Sequence, residues 1–157
     1  MSSALLNFPK RFPLARWAPI PLRLIVGFGF MQHGYSKLSK GPDAFAAILA
    51  ALHVPMPQVM AWATILTELL GGSAVLIGAF VTLASVPRAA VLLVAAFTTQ
   101  LPNGFSSIKL MGVAAQGAQF GPPAYEVNVL YLACLAALVM MGSGPLAVDA
   151  WRARKKT

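Results

Sequence analysis

The stretch from Arg23 to Lys37, RLIVGFGFMQHGYSK, constrains this chain more than any other. It is apolar enough to enter a membrane, yet it carries Arg23, His33 and Lys37. Charge in lipid is expensive, so such groups face a bundle interior, a water-filled cavity or a partner. The rest of the sequence can supply that interior, with further apolar stretches, an acid at mid-depth and a polar connection. Of the 157 residues, 58% are hydrophobic and only 10% charged, where a soluble domain carries about 25% charged residues. The expectation is an all-α integral membrane protein, a bundle of four transmembrane helices.

Measured against the roughly 20 apolar residues that a crossing helix needs, the spans are expected at about residues 20–39, 57–84, 88–102 and 124–146. Pro19 and Pro21 suit the first turn of a helix, where a missing N–H costs little. Residues 41–56 are bounded by prolines and too short to cross, so they read as an amphipathic or re-entrant segment at the surface. Ser85, Val86, Pro87 and Arg88 read as a tight turn between the second and third spans. Residues 103–123 form a long glycine-bearing loop, a length that usually signals function or disorder. The organisation is then an N-terminal segment 1–18, a membrane domain 19–150 and a basic tail 151–157.

A basic start before an apolar stretch can also be a signal peptide. Arg23 interrupts the apolar core and no small-residue cleavage site precedes His33, so a retained first span is expected. Four spans put both termini on one side. That side collects Lys10, Arg11, Arg16, Arg88, Arg152, Arg154, Lys155 and Lys156, against Lys37, Lys40 and Lys109 on the other. The excess assigns both termini to the cytoplasm. The formal charge is +8; its clusters beside spans suit anionic membrane lipids and not nucleic acid.

Cys134 is the sole cysteine, which excludes an intrachain disulfide or a CxxC redox pair. His33 and His53 are too few for a histidine-rich metal or haem site, and no phosphate-cradling glycine loop is present. No metal, haem or nucleotide is indicated, and a cofactor would be lipid-like or held by a partner.

At about 100° per residue, Arg23, Gly27, Gly34 and Lys37 share one helix face, with His33 one turn from Lys37. The glycines allow another helix to approach there. Glu68 stands about 16 Å into the second span, and Thr64, Glu68 and Gly72 share its face. In an antiparallel bundle His33, Glu68, Thr99, Gln100, Tyr125, Glu126 and Asn128 would converge in the outer half, under loop 103–123. His33 and Glu68 are the catalytic candidates, since imidazole and carboxyl groups can carry protons. Arg23, Lys37, Thr99, Gln100 and Glu126 are the binding candidates. The competing reading is structural: Glu68 pairs with Arg23 or Lys37 and fixes helix register, Lys37 snorkels to the headgroups, and Glu126 is solvated at a span start.

The series Arg23…Gly27…Phe30…His33-Gly34…Lys37, then Glu68…Gly71-Gly72…Leu76…Gly78, resembles the DoxX family of small bacterial four-helix membrane proteins. Leu101-Pro102-Asn103-Gly104-Phe105 and the ending Gly142-Ser143-Gly144-Pro145…Asp149 extend the resemblance over nearly the whole chain after its first twenty residues. Gln100 departs from the pattern, because relatives often carry histidine there. The resemblance implies redox work at the bacterial inner membrane. Members include the quinone-reactive subunit of a thiosulfate:quinone oxidoreductase, and others are linked to oxidative-stress complexes and to quinone or catechol detoxification.

The expected function is a quinone-interacting subunit of an inner-membrane oxidoreductase. His33 and Lys37 would donate hydrogen bonds to the quinone, Glu68 would relay a proton, and Thr99 and Gln100 would orient the head group. Electrons would come from a soluble substrate or a partner, and the assembly expected is with a protein partner or as a homo-oligomer in the membrane. The alternatives are a non-catalytic anchor that recruits a redox partner and, more weakly, passage of a small solute or proton through the bundle.

Overall fold

Pro19 and Pro21 open helix α1 (Pro19–Ser39) in a computed structural model that describes residues 13–155. Lys10, Arg11 and Lys156 of the charge argument lie outside the described residues. A 3-10 turn, Pro13–Trp17, leads into α1. Helix α2 (Pro42–Ala51) follows Gly41, and α3 (Pro57–Ile77) begins after Met56. Helix α4 (Val81–Ala95) runs on through a π-helical turn, Ala96–Gln100, and a 3-10 turn, Leu101–Asn103. Two short strands, β1 (Leu110–Ala114) and β2 (Gly117–Phe120), pair antiparallel before α5 (Glu126–Met141) and the terminal α6 (Val148–Arg154).

Leu14–Ser39, Pro57–Ile77 and Val81–Asn103 are long and apolar enough to cross a membrane. Only 28%, 28% and 22% of their most apolar windows are buried, so most of each apolar surface faces outward, as lipid contact requires. Helix α5 is equally apolar but has 16 residues, below the roughly 20 of a full span.

Three expectations on the elements are corrected. The turn between the second and third spans is not at Ser85–Arg88 but around Gly78, whose left-handed φ of 71° ends α3. Pro87 lies inside α4: the ring deprives one turn of its hydrogen bond without ending a helix whose remaining bonds are made. Ser85 and Arg88 are consequently buried in the bundle and not exposed at its surface. Loop 103–123 contains the β hairpin, with a bulge between Leu110 and Gly112. The span expected at 124–146 stops at Met141 because Gly142, at φ 78°, leaves the helical region.

Helices α1 and α3 cross in backbone contact. A Cβ at Gly27 would stand 2.7 Å from the Leu76 nitrogen and 2.8 Å from the Gly72 carbonyl oxygen. Small residues at such a crossing bring helices close enough for van der Waals attraction to hold them in lipid. Val26, Phe30, Val75, Val81, Leu92, Leu135 and Leu138 form the core beside this crossing. Phe30 and Tyr131 meet edge to face at 5.4 Å, joining α1 to α5. The buried Asn128 donates from Nδ2 to the Leu92 carbonyl at 2.9 Å, joining α5 to α4.

One end of the bundle is clamped by polar groups. Arg23 donates to the carbonyls of Ser143 (3.1 Å) and Leu146 (3.0 Å). Asp149 accepts the N–H groups of Phe80 (2.9 Å) and Val81 (3.2 Å), while its own N–H donates to the Gly78 carbonyl at 3.0 Å. These bonds satisfy the first donors of α4 and hold Phe80 at its left-handed φ of 49°. The start of α1, the α3–α4 turn and the segment after α5 therefore lie at the same end.

Candidate functional site

At the opposite end, Lys37 and Glu68 form a tight ion pair. Lys37 Nζ lies 2.7 Å from Glu68 Oε1 and 2.5 Å from Oε2. The Glu68 side chain is 4% exposed and that of Lys37 24%, so the pair is desolvated on one side only. Gly34, one turn before Lys37, lets Glu68 approach: a Cβ there would stand 3.0 Å from Glu68 Cβ and 2.9 Å from Leu69 Cγ. The alternative of a snorkelling Lys37 is replaced by this pair, and Nζ also sits 5.3 Å from the Phe45 ring centroid.

The pair closes the polar end of a cavity of about 330 Å³, within the roughly 300–1,000 Å³ of small-molecule sites. Helix α2 and its C-cap Leu52 supply one apolar wall through Phe45, Ile48, Leu49 and Leu52, and α4 supplies the other. Thr64, Thr98 and Thr99 add hydroxyls to the lining. Thr98 and Thr99 donate to the carbonyls of Val94 (2.7 Å) and Ala95 (2.8 Å), which leaves oxygen lone pairs as acceptors. Both belong to the π-helical turn, a distortion frequent at functional sites. A flexible ammonium, a carboxylate and an apolar chamber can hold a carbonyl-bearing ring and move a proton to or from it.

The structure brings together Lys37, Glu68 and Thr99, and separates the other candidates. His33 is exposed on α1 and does not line the cavity, contrary to the expected convergence. It stands about 80° around the helix from the mean direction of Arg23, Gly27, Phe30, Gly34 and Lys37, enough to turn it outward. Arg23 belongs to the clamp at the other end and pairs with carbonyls, not with Glu68. Glu126 accepts the Ser107 N–H at 2.9 Å, anchoring the hairpin connection to α5. Gln100 lies past the cavity wall, its Oε1 buried without a hydrogen-bond partner among the described residues.

Sequence reasoning missed two features. Helix α2 is a wall of the site as well as a surface segment, and the spacing of Phe45, Ile48, Leu49 and Leu52 carried that signal, as one apolar helical stripe. Arg88 is completely buried, its guanidinium 5.4 Å from the Phe30 ring centroid. It donates from Nη1 to the Ala84 carbonyl, while Nε and Nη2 lack partners among the described residues. Placing the turn at Pro87 concealed it. No cluster of three or more metal-ligating side chains occurs among the described residues.

The family model described as DoxX matches residues 18–101, from the start of α1 through the π-helical turn and so over both halves of the Lys37–Glu68 site. No curated protein and no solved structure matches the chain.

Proposed function

This chain belongs to the DoxX family and is a multi-pass membrane protein, and on that premise we propose that it is a quinone-interacting subunit of an oxidoreductase in the bacterial inner membrane. The observation that carries the reading is the Lys37–Glu68 pair at the head of an apolar cavity between α2, α3 and α4. A quinone head group needs hydrogen-bond donors at its carbonyls, a proton source, and apolar walls beside lipid for its tail. Lys37 is the donor, Glu68 is the proton carrier coupled to it, and Thr99 helps orient the ring. Reduction to the quinol takes up two electrons and two protons; the protons pass through Glu68 and the electrons come from a redox centre on a partner protein. In this arrangement α5 completes a four-helix bundle with both termini in the cytoplasm, and Arg16, Arg152, Arg154 and Lys155 keep the cytoplasmic excess of positive charge after Arg88 is removed from it.

Titration of the purified protein with a short-tailed quinone analogue tests this reading. Saturable binding that weakens by at least about tenfold in Glu68→Gln, a loss of roughly 1.4 kcal/mol, is expected. A cavity-filling Leu49→Trp should weaken it as well. Equal binding by wild type and both variants would remove the site.

The hairpin favours a second reading, in which the chain anchors a partner. Leu110, Met111, Val113 and Phe120 are all exposed on two short strands, and apolar side chains grouped on a protruding element mark a contact with protein or membrane. Removal of residues 110–120 should abolish partner capture and spare quinone binding if the hairpin is the anchor.

A further inference from the structure

At the clamped end of the bundle, a cleft of about 540 Å³ lies between the turn before α1 and helix α6. The turn contributes Arg16 and Trp17, α6 contributes Ala150, Trp151 and Arg154, and the connection before α6 contributes Leu146. Ala150, Trp151 and Arg154 stand three and four residues apart, so they share one face of α6. Asp149 and Arg152 occupy another face, turned to α4: Asp149 accepts the Phe80 and Val81 N–H groups, and Arg152 stacks 4.5 Å from the Phe80 ring centroid.

The protein's own contacts tie the walls of this cleft together. Arg23 holds the carbonyls of Ser143 and Leu146. Gly144, at φ 73°, lets the connection lie against the turn, since a Cβ there would stand 3.0 Å from Pro19 Cβ and 3.4 Å from the Arg16 carbonyl oxygen. Leu146 is held at φ 61° with its side chain 76% exposed. Two guanidinium groups and no carboxylate line the space. Arg16 lies 5.6 Å from the Trp17 ring centroid and has no carboxylate partner among the described residues. A guanidinium matches the oxygens of a phosphate in geometry and charge.

Depth identifies the carrier of that phosphate. Trp17 directly precedes α1, and Asp149 fixes α6 at the first turn of α4, so the cleft sits where two membrane-crossing helices begin. Trp17 and Trp151 are both exposed there, and tryptophan collects at the headgroup level of a membrane. Basic side chains at that level attract anionic lipid. We propose that the cleft seats the headgroup of an anionic phospholipid, its phosphate held by Arg16 and Arg154, with Trp17 and Trp151 flanking the glycerol and Leu146 against an acyl chain. The site lies at the other end of the bundle from the Lys37–Glu68 cavity and does not rest on quinone binding.

Native mass spectrometry of the full-length protein, equilibrated with phosphatidylglycerol or phosphatidylcholine, tests the proposal. Wild type should retain phosphatidylglycerol about tenfold better than phosphatidylcholine. Arg16→Gln should cut that preference about fivefold, and Arg16→Gln combined with Arg154→Gln should abolish it. Arg152→Gln removes the same charge from the other face of α6 and should keep it. All three arginines are exposed, so these variants spare the packed core. Equal retention of both lipids by wild type, or a preference surviving in the double variant, overturns the proposal. So does an equal fall in Arg152→Gln, which would make the preference a general effect of positive charge. Displacement of phosphatidylglycerol by millimolar inorganic phosphate would make this a free-anion site and equally overturn it.

Discussion

At the residue scale, the two ends of Glu68's interaction are unequal. Glu68 is nearly sealed from solvent while Lys37 keeps one side open to the cavity, so removing the acid leaves a partly buried ammonium unbalanced. Glu68→Ala should destabilise the protein by roughly 3 kcal/mol, toward the low end for breaking a buried pair, in a thermal or denaturant unfolding measurement. The double replacement Lys37→Met with Glu68→Met should recover much of that loss, since no lone charge remains. His33→Ala should leave both stability and quinone binding at wild-type levels; a binding loss comparable to that of Glu68→Gln would return His33 to the site. The residue types of the site were legible because charges are rare in this sequence and each stands out against apolar neighbours. Their grouping was less legible. Helical period correctly put Lys37 and Gly34 on the interior face, but His33 stood near its edge, where a modest rotation decides between pocket and lipid. Arg23 and Glu68 both sit on interior faces, yet they belong to different levels of the bundle, which period alone does not measure.

At the scale of elements, the α1–α3 crossing and the clamp on α4 make separate demands. Gly27→Ala would drive a methyl group against the Leu76 and Gly72 backbone, and backbone cannot rotate away. The expected cost is about 1–3 kcal/mol, as for overpacking generally. Gly112→Ala in the hairpin, where a Cβ would meet nothing within 4 Å, should be close to neutral in the same unfolding assay. Asp149→Ala removes the acceptor for two backbone donors of α4 and should lower stability by about 1 kcal/mol, typical of a lost cap. The start of α1 and the break at Pro57 were readable because proline acts locally, whereas the last helix stops at Met141, five residues before the expected end of its span. The α3–α4 turn was not, because Pro87 is the louder local signal while Gly78 is stabilised by Asp149, a partner distant in sequence. The hairpin was hidden for a related reason: its strands expose nearly every residue, so no alternation of apolar and polar positions marks them.

At the scale of the whole molecule, polar chemistry is divided between the two ends of the bundle. Arg23 and Asp149 lock the end at which α1 begins and α6 lies, while Lys37 and Glu68 face a chamber at the other. Between them the helices are held by small residues and apolar packing, and their outward faces are left for lipid. A stable clamp at one end and a partly open ion pair at the other suit a protein that admits a lipid-soluble ring from the side. Gentle purification followed by solvent extraction and mass spectrometry of the bound lipids tests that claim most directly. The account predicts a quinone at near-equimolar amount in the wild-type protein, retained in His33→Ala and lost in Glu68→Gln. Wild-type protein that is folded and free of quinone, or a quinone that stays bound in Glu68→Gln, would contradict it.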